Sequence, residues 1–156
     1  MHVDPDLRMD AAQRVYRLMF GETLQETRSL EKLRGIEGAK VKSWYQRIAE
    51  QNNVEWIGRL AAPKPLQDAL GFATSCLYGL SEAVVLAAGY SPAIGIIHSG
   101  DPRSFVFDLA DTVKFKTVVP AAFEVFSESD MDTANRVRRR CRDLLDRKST
   151  RLNSSH

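Results

Sequence analysis

His98 ends the short apolar run Ala93-Ile94-Gly95-Ile96-Ile97. Ten and thirteen residues later come Asp108 and Asp111, after a second apolar run, Phe105-Val106-Phe107. Glu37 lies upstream in Leu33-Arg34-Gly35-Ile36-Glu37-Gly38. Imidazole and carboxylate are the donors of a divalent-metal site acting on phosphate esters. Two or three carboxylates with one imidazole suit Mg²⁺ or Mn²⁺, the histidine being the donor that admits manganese. Each residue also has a plainer reading. Asp108 and Asp111 can simply favour a helix N-terminus through capping and the macrodipole. His98 can be a satisfied histidine at a strand end. Glu37 is harder to explain away, because a carboxylate on an apolar face is costly without a partner.

The elements that would position these groups are mostly helical. Asp4-Pro5-Asp6 opens a helix, with proline in its first turn, and Leu7, Ala11, Val15, Leu18 and Met19 form a stripe ending near Gly21. Ser29 starts a second helix. Its stripe is Leu30, Leu33, position 37, Val41, Trp44 and Ile48, so Glu37 falls on the buried face between Gly35 and Gly38. Asn52 to Pro65 is connector. Leu66 to Ala88 predicts a nearly all-apolar helix packed on several sides, with one polar strip of Thr74, Ser75, Tyr78, Ser81 and Glu82.

Ala93–His98 and Ser104–Phe107 are β-rich and flank Ser99-Gly100-Asp101-Pro102, a turn signal, so a β-hairpin is predicted. It would fold His98 back beside Asp108. A helix over Asp108–Phe126, kinked at Pro120, and a last helix capped by Asp130 or Asp132 complete the prediction. The expected class is mainly α: a helical catalytic domain, residues 1–146, with one small β-hairpin.

Composition narrows the function. The chain has 156 residues, 44% of them hydrophobic, which is room for one folded domain with a sizeable core. No run of purely apolar residues is as long as a membrane span, and the N-terminus lacks a secretory signal. Cys76 and Cys141 lie far apart, consistent with a reducing, cytoplasmic setting. Residues 147–156 have no apolar periodicity, and Arg147-Lys148-Ser149-Thr150-Arg151-Leu152-Asn153-Ser154-Ser155-His156 coincides with one reading frame of a common sequencing-library adapter. The tail is expected to be adapter-derived and to pack on nothing. Setting aside its Arg147, Lys148 and Arg151, 22 basic residues become 19 against 20 acidic ones, and a net charge of +2 becomes −1. Bulk charge therefore gives no argument for nucleic-acid binding, and any basic surface must be local.

Local basic clusters exist. Arg34, Lys40 and Lys42 surround Glu37, Lys114 follows Asp111 by three residues, and Arg138 and Arg142 are one turn apart. Such charges commonly just solvate a helix face, but near candidate ligands they also suit a phosphate track. Tyr78 is either a packed ring with a wet hydroxyl or a contact to a frayed nucleotide. HExxH, Walker A, GxGxxG and paired CxxC patterns are absent.

Taken together, Arg34-Gly35-Ile36-Glu37-Gly38, Cys76-Leu77-Tyr78-Gly79, the run from Ala87-Ala88-Gly89-Tyr90 through His98-Ser99-Gly100, and Phe105-Val106-Phe107-Asp108-Leu109-Ala110-Asp111 occur in one order along the chain. The sequence from about Asp4 to Leu145 resembles the helical catalytic domain of the CRISPR-associated spacer-acquisition integrases, type I-E branch. The resemblance implies that Glu37, His98 and Asp111 bind Mg²⁺ or Mn²⁺ and that Asp108 is a further acid of the site. It implies that Thr74, Tyr78 and Lys114 line the site, and that Arg34 and Arg138 contact DNA. Lys40 and Arg142 join them as candidate DNA-binding residues.

The implied reaction is transesterification, joining the 3′-hydroxyl ends of a spacer precursor to a repeat array. The implied partners are DNA, a second copy of the full-length protein, and a small CRISPR acquisition partner protein, with no membrane. The family's N-terminal β-rich pairing domain and its partner-docking C-terminal segment are expected to lie outside this chain. The competing class is a non-catalytic helical module that only binds DNA or a partner.

Overall fold

The computed structural model describes residues 4–21 and 29–153, with side chains as far as Asp146. It contains helices α1 (Pro5–Phe20), α2 (Leu30–Gln51), α3 (Lys64–Ala87), α4 (Ser104–Lys114), α5 (Val118–Glu128) and α6 (Thr133–Asn153). The chain divides into two compact units. One comprises residues 1–43 and 78–113, the other residues 44–77 and 114–156.

In the first unit, local chemistry sets the ends of α1. The Asp4 carboxylate accepts the Asp6 amide at 2.9 Å, Pro5 occupies the first turn, and Gly21 closes the helix at φ 71°. The buried face of α1 is Ala12, Tyr16 and Met19, while Leu7 and Leu18 are each 66% exposed. This face is rotated from the predicted stripe. Ala12 and Tyr16 join Leu33 of α2 and Ile97 in one core cluster, flanked by Met9, Val15, Phe20, Leu30 and Ile96.

The predicted β-hairpin is absent: no strand occurs among the described residues. The reason is where the backbone donors go. The amides of Ile96, Ile97 and His98, which a ladder would have used, all donate to the Asp108 carboxylate. Ser104–Phe107 is the first turn of α4. It is started by Asp101, whose side chain accepts the Arg103 amide at 2.7 Å and whose carbonyl accepts the Ser104 hydroxyl at 2.8 Å. The Phe105 amide reaches back to the Pro92 carbonyl at 2.8 Å, so the loop closes on itself at the helix start. Gly95 is required there: a Cβ would collide with the His98 carbonyl oxygen and the Ser104 side chain.

In the second unit, α5 packs along α6. Phe123, Val118, Val119, Leu66, Leu70, Val137 and Cys141 are buried. Trp44, Tyr45, Trp56, Phe115 and Phe123 form a run of ring contacts 4.9–6.4 Å apart. The predicted single helix over Asp108–Phe126 is two helices, broken at Phe115–Thr117. Pro120 causes no kink, because it sits in the first turn of α5, where its missing N–H costs no intrahelical bond.

The two portions of α3 differ. Leu66, Ala69, Leu70, Ala73 and Leu77 are buried, whereas Leu80, Val84 and Leu86 are 44–57% exposed, so α3 is not covered all round. By length and composition alone α3 is able to cross a membrane, but its buried leucines face protein. The backbone of α6 carries on helically through residues 147–153; residues 154–156 and the side chains of the predicted tail lie outside the described residues.

Candidate functional site

The site is built around Asp108, in the second turn of α4, which is 1% exposed. Its carboxylate accepts the amides of Ile96, Ile97 and His98, the last two at 3.0 Å. It also meets the His98 ring, with Oδ1 2.7 Å from Nδ1. Burial alone would push this carboxyl up. The His98 side chain and the backbone donors outweigh it and hold Asp108 below the usual carboxylate range. It is therefore an ionised, fully used acceptor.

His98 is fixed by that bond. Its Nδ1 faces Asp108, and its Nε2 lies 4.0 Å from Asp111 Oδ2, one helical turn further along α4. The hydrogen bond to Asp108 raises the imidazole above its ordinary value, against the effect of burial. The ring edge meets Phe107 at 6.0 Å, and Phe107 meets Tyr78 at 5.0 Å. Tyr78 is thus one ring removed from the histidine.

Glu37 enters from α2. Its Oε2 accepts the Tyr16 hydroxyl at 2.8 Å. Burial raises the carboxyl, the Tyr16 bond opposes this, and the charges of Asp111, His98 and Asp108 also act on it. Burial, with the Glu37 hydrogen bond and charge, pushes the Tyr16 hydroxyl far above its ordinary range, so it stays a donor. Two arginines hold the other side of the loop. Arg8 Nε donates to the Ile96 carbonyl at 2.9 Å, and Arg34 Nη2 to the Ile97 carbonyl at 2.6 Å.

The structure brings His98, Asp108 and Asp111 together and sets Glu37 within reach of their charges. Among the described residues, no group of three or more His, Cys, Asp or Glu side chains is arranged to hold a metal ion. Of the cations predicted around Glu37, Lys40 sits over the Phe20 ring at 4.8 Å, and Arg34 is the guanidinium that holds the loop at Ile97.

Thr74, Lys114, Arg138 and Arg142 fall in the other unit. Thr74 is buried and its hydroxyl donates to the Leu70 carbonyl at 2.8 Å. Lys114 ends α4 with its ammonium 5.6 Å from the Phe115 ring. Arg138 lies over Phe72 at 4.5 Å, and Arg142 pairs with Asp143 at 3.4 Å.

Tyr16 and Arg8 are not legible in the sequence as site residues. The signal for Tyr16 is its place four residues after Ala12 on α1, outweighed in sequence by the larger apolar bulk of Leu7 and Leu18.

The fold and this cluster define a helical domain that gathers a histidine and three acids from separate segments. Residues 7–151 match the family model described as CRISPR associated protein Cas1, and the chain belongs to that family. It is 46% identical over 149 residues to the CRISPR-associated endonuclease Cas1 of Escherichia coli K12, covering 92% of this chain and 49% of that protein. It is 44% identical to the Geobacter sulfurreducens protein of the same name, with the same coverage. A crystal structure described as a TtCas1–DNA complex superposes with a TM-score of 0.82 at 39% identity, over 93% of this chain and 54% of that one. The chain spans about half the length of the curated relatives it matches.

Proposed function

We propose that this chain is the helical catalytic portion of a divalent-metal-dependent DNA endonuclease and integrase of CRISPR adaptation. The observation that carries the reading is the orientation of His98. With Nδ1 held by a buried aspartate, Nε2 is the nitrogen turned toward Asp111. A carboxylate behind an imidazole is how proteins fix the tautomer and direction of a metal-binding histidine. By donor type, two carboxylates and an imidazole suit Mg²⁺ or Mn²⁺, and Glu37, His98 and Asp111 are the residues that would hold the ion once their side chains turn toward one another. A bound divalent cation supplies charge stabilisation at a phosphodiester and activation of an attacking hydroxyl.

The remaining roles belong to the chain itself. Asp108 orients His98 and ties down the loop that carries it. Arg34 and Lys40, near Glu37 in sequence, and Arg138 and Arg142 on α6 supply cationic groups for phosphates. Tyr78, one ring removed from His98, is assigned to the lining of the site. Pairing of protomers and docking of a small acquisition partner protein belong to the full-length relatives in this reading. Such pairing holds two DNA ends together, a positioning gain worth up to roughly 7–11 kcal/mol.

The isolated chain is accordingly expected to bind Mn²⁺ weakly and to integrate spacer-like DNA inefficiently. The test is a gel assay with labelled duplex, supercoiled repeat plasmid and Mn²⁺, with and without the partner protein. Any strand transfer or nicking should vanish in His98→Ala. Activity that survives that substitution does not come from this site. DNA binding unaffected by Mn²⁺, with no turnover in a chain extended to the relatives' full length, would favour the non-catalytic module.

A further inference from the structure

Resting on the cation site proposed above, we propose that Tyr16 is a positioning residue for Glu37, fixing from α1 the direction in which the α2 carboxylate points. Tyr16 is 0% exposed, so its hydroxyl must find a partner inside the protein. That partner is Glu37 Oε2 at 2.8 Å, 21 residues away on a different helix.

The ring is packed in place. It stacks on Phe20 with centroids 5.7 Å apart and planes 16° from parallel. It also belongs to the cluster with Leu33, one turn before Glu37, and Ile97, the residue before His98. One buried side chain thus shares a core cluster with both ligand-bearing segments and hydrogen-bonds one of the ligands. Anchoring one carboxylate oxygen selects a rotamer and so aims the other.

The chemistry of the anchor fits the task. A lysine or arginine in this place would neutralise the carboxylate and compete with a cation. A tyrosine hydroxyl orients the group and leaves its negative charge in place.

The test is Mn²⁺ titration of the 156-residue chain, read by loss of the free-ion EPR signal, with melting curves on the same samples. Tyr16→Phe keeps the ring and deletes only the donor. It should weaken Mn²⁺ binding about tenfold, the lower end of what losing such a supporting partner does, while the protein stays folded. Phe20→Leu removes the stack but keeps the hydroxyl. It should lower the melting temperature and leave affinity close to wild type.

If Tyr16→Phe binds Mn²⁺ as wild type does while Glu37→Gln loses binding, the positioning role is overturned and the cation site stands. If Phe20→Leu weakens binding as much as Tyr16→Phe, packing and not the hydrogen bond is responsible, and the role is again overturned. If Glu37→Gln leaves binding intact, the cation site falls and this inference with it.

Discussion

A single oxygen of Asp108, Oδ1, accepts from His98 twice: from its backbone amide at 3.0 Å and from its ring Nδ1 at 2.7 Å. The same carboxylate therefore fixes where the histidine's backbone lies and which way its ring faces.

Asp108→Asn should cost more than loss of one contact. An amide presents an N–H₂ to a nest of backbone donors and removes the charge that holds the ring. A loss of about 3 kcal/mol is expected, as for breaking a buried charged pair, measured by urea denaturation. Asp111→Asn leaves those backbone donors satisfied and should cost clearly less, on the order of 1 kcal/mol.

Stability should depend on pH through this pair. The folded-state value of His98 is raised above 6.5, so its contribution is complete below pH 6.5 and is lost as pH rises through the raised value. The folded-state value of Asp108 is lowered below 3.8, so its contribution is present above pH 3.8 and is lost as pH falls through the lowered value. Denaturant midpoints for wild type and His98→Gln should differ most between these limits and converge at alkaline pH. A gap that stayed constant from pH 6.5 into the alkaline range would mean that the imidazole is not raised by folding.

The glycines should separate into two groups. Gly95→Ala forces a Cβ into backbone and should destabilise by about 2 kcal/mol, as overpacking does. At Gly35 and Gly38 an added Cβ meets nothing within 4 Å. Gly35→Ala and Gly38→Ala should each gain close to 1 kcal/mol of helix propensity and raise the melting temperature. A drop in DNA affinity in those two variants would show that the bare helix face is kept for a ligand's close approach.

Cys141 should be inert while the protein is folded. Burial pushes its thiol up to about 11. At pH 8 that leaves only about one thiolate in a thousand, roughly a hundredfold fewer than at the unshifted value of 9.0. Ellman's reagent should modify Cys76 first and reach Cys141 only on unfolding.

What the sequence discloses is mostly what short-range chemistry decides. Asp4-Pro5 and Gly21 mark the ends of α1, because capping and left-handed φ are settled within a few residues. The buried face of α1 is hidden, because Leu7 and Leu18 are large and apolar yet exposed, while Ala12 and Tyr16 carry the packing. The false hairpin has a different cause. Ile96 and Ile97 have β-branched side chains, but their amides answer to an aspartate ten or more residues away, and no window along the chain contains that competition. His98, Asp108 and Asp111 are legible as chemically notable. The division of labour, with Asp108 behind the ring and Asp111 before it, depends on the folded geometry.

The segment Ile96–His98 has no repeating backbone geometry, yet its three amides end on one buried carboxylate and two of its carbonyls on guanidinium groups. In hydrogen–deuterium exchange it should act like the interior of a helix, with protection factors far above those of the neighbouring Ser99–Asp101 peptide. Because its anchors come from α1, α2 and α4, those amides should open only when that whole three-helix unit opens. Their exchange rate is then a direct gauge of the cooperativity of the domain half that carries the histidine, read from a loop.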